Sequence, residues 1–235
     1  MDSEPHHFRR RVRMPAGRHF AVTWAIPDDF GGMTEAMFRR SRAFDQLGGV
    51  AVDVLTFDAR PDYPALEATL RGQGVLSAGV RIVNLYDWLR EHALSARDAD
   101  AHAAAQAFAP IKGGEGVQLR TRDGQAMSRV RTDAHGNALQ IDHLRADGTV
   151  VVSDRRDVRR AGTVGGRSVV LCDRRGKPVR AWAGIWGLYT AWLDELTGST
   201  SSYMIVDSKT IATFMLSYRR PHVVTVHLVH GSHRG

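Results

Sequence analysis

Apolar positions along the chain fall into three blocks of different period. In the first, residues 19–92, short apolar runs alternate with helical spacing. HFAVTWAI (19–26) is a near-continuous apolar run, as in a strand buried on both faces. After Gly31-Gly32 the spacing turns helical, with Met33, Ala36, Met37, Phe44 and Leu47 available for one broad face. Gly48-Gly49 marks its end. VAVDVLTFD (50–58) reads as a second strand, YPALEATLRGQG (63–74) as a short helix, and GVRIVNLYDWLREH (79–92) as a third strand running into a helix. This alternation predicts a parallel sheet with crossovers.

In the second block, residues 111–178, the period changes. Asp123-Gly124, His135-Gly136-Asn137 and Asp147-Gly148 are turn signals, and their glycines sit twelve residues apart. Short strand-like runs such as NALQIDHL and TVVVSD lie between them, predicting a β-meander of hairpins. Gly165-Gly166 and DRRGKP read as further turn punctuation. The alanine-rich stretch 95–110 is a helix or connector leading in. The third block returns to the first period. WAGIWGLYTAWLDEL (182–196) predicts a helix with Trp186, Tyr189, Leu193 and Leu196 on a core face. SSYMIVDSKTIATFMLSY (201–218) is a strand, then a helix opening near Asp207-Ser208, and HVVTVHLVHGSH (222–233) is a last strand with a polar exit. The fold class is therefore α/β. A Rossmann-like parallel sheet spans 19–110 and 179–235, an antiparallel β-meander is inserted at 111–178, and residues 1–18 form a basic lead-in.

Composition narrows the options. The 235 residues suit one large domain or two small ones. No apolar run approaches the roughly 20 residues of a membrane-spanning helix, and residues 1–18 lack the apolar core of a secretory signal. Cys172 is the sole cysteine, so no internal disulfide forms and a cytoplasmic setting is expected, with the inner membrane surface as a variant. The net charge of +7 is carried almost wholly by arginine; Lys112, Lys177 and Lys209 are the only lysines. That balance suits an anionic partner or a GC-rich genome alike. The hairpins lack basic residues interleaved with clustered aromatics, which argues against specific nucleic-acid binding.

Candidate chemistry lies where an open parallel sheet binds ligands, beyond the carboxyl ends of its strands. Gly31 and Gly32 lack a Cβ, so backbone N–H groups can approach a phosphate at a helix N-terminus. A plain tight turn explains a Gly-Gly equally well. Thr34 is placed to cap that helix or to reach the same anion. Neither the G-x-G-x-x-G dinucleotide fingerprint nor a P-loop is present. His227, His230 and His233 recur every third residue, but in a β-branched stretch that spacing sends side chains to opposite faces, so no metal is expected. A histidine at a strand exit can instead hold a substrate hydroxyl or serve as acid or base.

The order of DDFGGMTEAMFRRSRAF, VDVLTF, GVRIVNLYDWL, the hairpin block, YTAWLDEL, YMIVDSK and VTVHLVHGSH resembles the N-terminal half of bacterial retaining glycosyltransferases of the GT-B fold. It is similar to poly(glycerol-phosphate) α-glucosyltransferases and to the N-acetylglucosamine transferase of serine-rich adhesins. The resemblance implies a UDP-sugar co-substrate, no metal, and an acceptor that is an anionic polymer or a protein hydroxyl. It implies donor contacts at Gly31 and Gly32, a catalytic His230 beside the transferred sugar, and an acceptor or sugar contact at His233 or Thr34. The β-insertion is implied in acceptor binding or homo-oligomer contacts. The family's second Rossmann-like domain, with its E-x7-E glutamate pair, has no counterpart before Gly235. The chain is thus expected to be a fragment, a truncated product or half of a split system, weak as a catalyst alone. The rival expectation is a non-catalytic partner subunit that recognises acceptor.

Overall fold

The computed structural model describes residues 13–95, 98–114, 116–160 and 163–228. In chain order the elements are β1 (Arg18–Val22), α1 (Gly32–Gly48), β2 (Val52–Thr56), α2 (Tyr63–Gly72), β3 (Val80–Asn84), α3 (Leu85–Glu91) and α4 (Asp98–Ala107). Strands β4 (Val117–Arg122), β5 (Gln125–Thr132), β6 (Ala138–Leu144), β7 (Val150–Arg160), β8 (Thr163–Cys172) and β9 (Pro178–Trp182) follow. The chain closes with α5 (Ile185–Thr197), β10 (Ser202–Val206), α6 (Lys209–Ser217) and β11 (Val223–His227). Among the described residues no helix is long and apolar enough to cross a membrane.

Two compact units result. Among the described residues, one comprises 13–56, 63–83 and 199–228; the other comprises those of 57–62 and 84–198. The first carries a five-stranded sheet of order β11-β10-β1-β2-β3. Strand β1 pairs in parallel with β10 and β2, and β10 in parallel with β11. Its core joins Ala21, Val52, Val54 and Val80 of the strands to Met37 and Phe38 of α1 and Leu70 of α2. Helix α1 ends where the sequence says: Gly49 adopts a left-handed φ of 65° and its N–H reaches Phe44 and Asp45 carbonyls. The buried face of α1 matches the predicted one in part. Met37 is buried and Phe44 packs against the core as expected, with Phe38 and Ser41 buried beside them, whereas Met33 and Leu47 at the two ends are exposed.

The second unit holds a six-stranded meander, β4 to β9 in sequence order, every neighbouring pair antiparallel. The first hairpin turns on Asp123 (φ 50°) and Gly124 (φ 77°), both left-handed, as a two-residue type I′ turn requires. Three later hairpins repeat one five-residue turn. In each, the first residue's N–H bonds the fifth residue's carbonyl, and the fourth is a glycine: Asp133–Asn137, Arg145–Thr149 and Asp173–Lys177. Gly136, Gly148 and Gly176 have φ of 83°, 82° and 75°. Gly165-Gly166 is not a turn. Both residues lie inside β8, opposite a stretch of β7 where the register shifts, which is where strand glycines gather.

One core cluster of the meander joins Leu144, Val150, Val170 and Cys172 to Ala104 of α4. Phe57, Tyr189 and Trp192 form a separate aromatic cluster with edge contacts of 4.9 and 5.2 Å. Helix α5 buries Ile185, Leu188, Tyr189, Trp192 and Leu193. Trp186, assigned to the core from the sequence, is 48% exposed. Tyr189 and Leu193 of the expected face are buried, and Ile185 and Trp192, a seven-residue repeat, take the place expected of Trp186.

Candidate functional site

The carboxyl ends of β1, β10 and β11 are tied level by bonds beyond the regular ladder. Asp207 N–H donates to the Val22 carbonyl at 2.9 Å, and Leu228 N–H to the Val206 carbonyl at 3.0 Å. Asp207 is 4% exposed, and Arg40 of α1 grips it with two bonds, Nη1 to Oδ1 at 3.0 Å and Nη2 to Oδ2 at 2.6 Å. A buried carboxylate held bidentately by a guanidinium is a fixed structural charge. The sequence does not signal this pair, because 167 positions separate its members and Arg40 sits among other arginines in FRRSR.

Gly31 is the N-cap of α1, with φ −88° and ψ −172°, and gives no side-chain cap. Thr34 is therefore the third residue of the helix and not its cap. With no capping side chain, the N–H groups of Gly32, Met33 and Thr34 are left for water or a ligand. Neither glycine has a left-handed φ, and a Cβ built on either meets nothing within 4 Å. Backbone geometry and internal packing thus leave Gly32 unexplained, while Gly31 also suits its N-cap position, where glycine ranks well above alanine. Both are exposed at the positive end of a 17-residue helix. Glu35 in the first turn would oppose an incoming anion, but Arg39 pairs with it at 2.5 Å.

Helix α6 begins at Lys209 with Ser208 as its N-cap, as the sequence suggests. His227 ends β11, and its Nε2 is buried with no hydrogen-bond partner among the described residues. His230 and His233 lie outside the described residues. The structure therefore describes Gly31, Gly32 and Thr34 together at the start of one helix, and leaves the two histidines undescribed.

No protein-family model matches the chain, and no curated protein does. Solved structures match it in fold. A variant of S. aureus TarM bound to fondaparinux, alpha-GlcNAc-glycerol and UDP aligns with a TM-score of 0.63 at 16% identity, over 92% of this chain and 50% of that one. A second TarM structure gives 0.65 at the same identity and coverage. A GtfA/B complex gives 0.52 at 12% identity, over 92% and 48%. The chain thus spans about half the length of the structures it matches. This likeness of fold, a parallel sheet with a separate antiparallel sheet, is in keeping with the resemblance to the N-terminal half of GT-B glycosyltransferases carried by the order of its motifs.

Proposed function

We propose that this chain forms the acceptor-side half of a retaining glycosyltransferase. It would move a hexose from a UDP-sugar to a polyol-phosphate or protein hydroxyl acceptor. The observation that carries the reading is the glycine pair: two residues without side chains, where neither turn geometry nor packing calls for glycine. An anion seated on the N–H groups of Gly32, Met33 and Thr34 gains from the helix dipole and needs close approach to the backbone. The diphosphate of a nucleotide sugar is such an anion. His230, following β11, is assigned the contact to the transferred sugar, with His233 beside it and Thr34 as an acceptor or sugar contact. A second wall supplies the rest of the donor site, since both walls must position donor and acceptor. The meander is assigned to acceptor recognition or self-association. Its edge strand β4 is largely exposed, with Leu119 60% exposed, and uncovered strand edges invite pairing. A monomeric mass in light scattering would contradict the self-association.

The test uses the native protein from its source cells. UDP-glucose and UDP-N-acetylglucosamine are offered with a glycerol-phosphate polymer, and donor binding and sugar transfer are measured. We expect the Gly31→Ala/Gly32→Ala variant to fold normally and to lose donor affinity about tenfold or more. Unchanged donor binding in that variant refutes the role of the pair. A likeness to a two-protein GtfA/B complex favours one second reading, a non-catalytic partner that recognises acceptor. That reading is supported if His230→Ala leaves the assembled complex fully active.

A further inference from the structure

Arg145 departs from the rule of its own turn. In the two sister turns the first position is an aspartate whose Oδ1 accepts turn N–H groups: His135 and Asn137 at Asp133, Arg175 and Lys177 at Asp173. In the third turn that position is a cation. Its side chain is buried, at 8% exposure, and donates to two neutral carbonyls, Nη1 to Val150 at 3.1 Å and Nη2 to Cys172 at 3.0 Å. A guanidinium has five donors, and these bonds use two. Buried charges are normally paired with an opposite charge. Among the described residues Arg145 forms no ion pair at contact distance. Asp147 Oδ1 takes both the N–H and the hydroxyl of Thr149 at 2.9 and 2.7 Å, and Asp173 Oδ1 takes its two turn N–H groups. Burial lowers the pKa of Arg145 from its usual value, with Arg174 adding to the effect and Cys172, Asp147 and Asp173 opposing it from a distance.

Arg145 lines a cavity of about 310 Å³, a volume at the lower end of small-ligand pockets. Leu94, Leu171 and Val179 give it an apolar wall, and Arg174 and Arg175 line it too. Those two side chains are exposed, and among the described residues Arg174 makes one bond, a long one, to the Glu91 carbonyl at 3.4 Å. We infer that this cavity binds a phosphate ester on a small organic body, with Arg145 as the buried anchor and Arg174 and Arg175 closing on the phosphoryl oxygens. Three guanidinium groups offer more donors than a single carboxylate accepts, and their planar forks match phosphoryl geometry. The apolar wall takes the organic body. The site lies wholly within the meander unit and does not depend on the proposed sugar transfer.

The shared chemistry has two sources, a soluble ester and a lipid headgroup. The first arm titrates the whole protein with sn-glycerol 3-phosphate, followed by amide NMR shifts, with inorganic phosphate and glycerol as controls. The second arm measures co-sedimentation with phosphatidylglycerol vesicles against phosphatidylcholine vesicles. We expect saturable shifts at Arg145, Cys172 and Asp173, or vesicle binding, that weaken about tenfold or more in Arg145→Met. The same loss is expected in Arg174→Ala/Arg175→Ala, whose exposed positions leave folding intact, so the test stands if Arg145→Met fails to fold. A response in the ester arm assigns a soluble ligand, and one in the vesicle arm alone assigns a headgroup. Absence of binding in both arms overturns the inference and leaves Arg145 as a staple between strand ends. Binding that survives in the Arg174→Ala/Arg175→Ala variant also overturns it. Inorganic phosphate acting as strongly as the ester overturns the organic body.

Discussion

The two units handle charge and glycine in opposite ways. The parallel unit buries a carboxylate at its strand ends and matches it fully, Asp207 to Arg40, yet it carries a glycine in its first helical turn, Gly32, with no internal task. The meander puts its turn glycines to work at left-handed φ, yet it buries a guanidinium with no ion pair among the described residues and an imidazole whose pKa burial pushes down. What a unit matches internally holds its fold, and what it leaves unmatched is where an outside molecule can add energy. Each prediction below alters one side of this contrast.

The largest effect belongs to the matched pair. Arg40→Ala leaves the Asp207 carboxylate buried and alone, and should cost about 3–5 kcal/mol, read as a drop in the urea midpoint at constant m-value. Replacing both residues with leucine should recover part of that loss, because no charge is then stranded. A loss under about 1 kcal/mol in Arg40→Ala, the level of an exposed pair, would remove the distinction between the units.

The meander's buried imidazole comes next. His143 is 5% exposed, stacked on Tyr86 at 3.9 Å between ring centres. Burial pushes its pKa down to about 3, with Arg120 and Arg90 adding to the effect and Asp154 opposing it. The unfolded chain protonates its histidine near the ordinary value of about 6.5, so below that pH it binds more protons than the folded chain. Stability is therefore full above pH 6.5 and falls as pH drops toward 3, by up to about 1.4 kcal/mol per pH unit from this group. His143→Phe keeps a stacked ring and removes the proton, so its stability should vary less between pH 6 and pH 4. An identical pH profile in the variant would show that the ring is not the sensor.

The turn glycines follow. Gly136→Ala and Gly148→Ala place a Cβ in open space, since nothing lies within 4 Å. Any cost is thus backbone strain at φ of 83° and 82°, about 1–2 kcal/mol for an L-residue held there. A neutral result at both would mean that the turns relax to another type.

These ranks show what the sequence made legible. Alternating strand and helix periods, and glycines twelve residues apart, mark both sheets because each pattern is local and repeats. Helix faces were less legible. Met33, Leu47 and Trp186 are apolar and near the stripe, and only packing shows that Phe38 and Trp192 hold the inner positions instead. Gly165-Gly166 read as a turn because glycine marks strand irregularities and turns alike. Partners across long separations were not legible at all. Nothing in FRRSR singles out Arg40, and Arg145 stands in a polar turn where an exposed side chain is the ordinary expectation. Of the candidate site, the glycine pair was visible as a motif, but that Gly32 lacks an internal task shows only once φ and neighbouring atoms are known.

The smallest stability effect is the sharpest test of the contrast. Gly31 has an extended backbone that any residue adopts, and Gly32 lies in the first turn of α1. Alanine at Gly31 should cost up to about 1 kcal/mol, because glycine ranks well above alanine at an N-cap even where no side-chain bond is lost. Alanine at Gly32 should stabilise the helix by up to about 0.5–1 kcal/mol, the usual gain over glycine inside a helix. Both are read in the same urea titration as Gly136→Ala and Gly148→Ala. The contrast predicts opposite signs: loss at the turn glycines, gain at Gly32. If Gly32→Ala destabilises as the turn variants do, Gly32 has a structural task and ceases to mark a ligand. If it does not, the fold gains nothing from glycine at this position, and a molecule that approaches the backbone closely does.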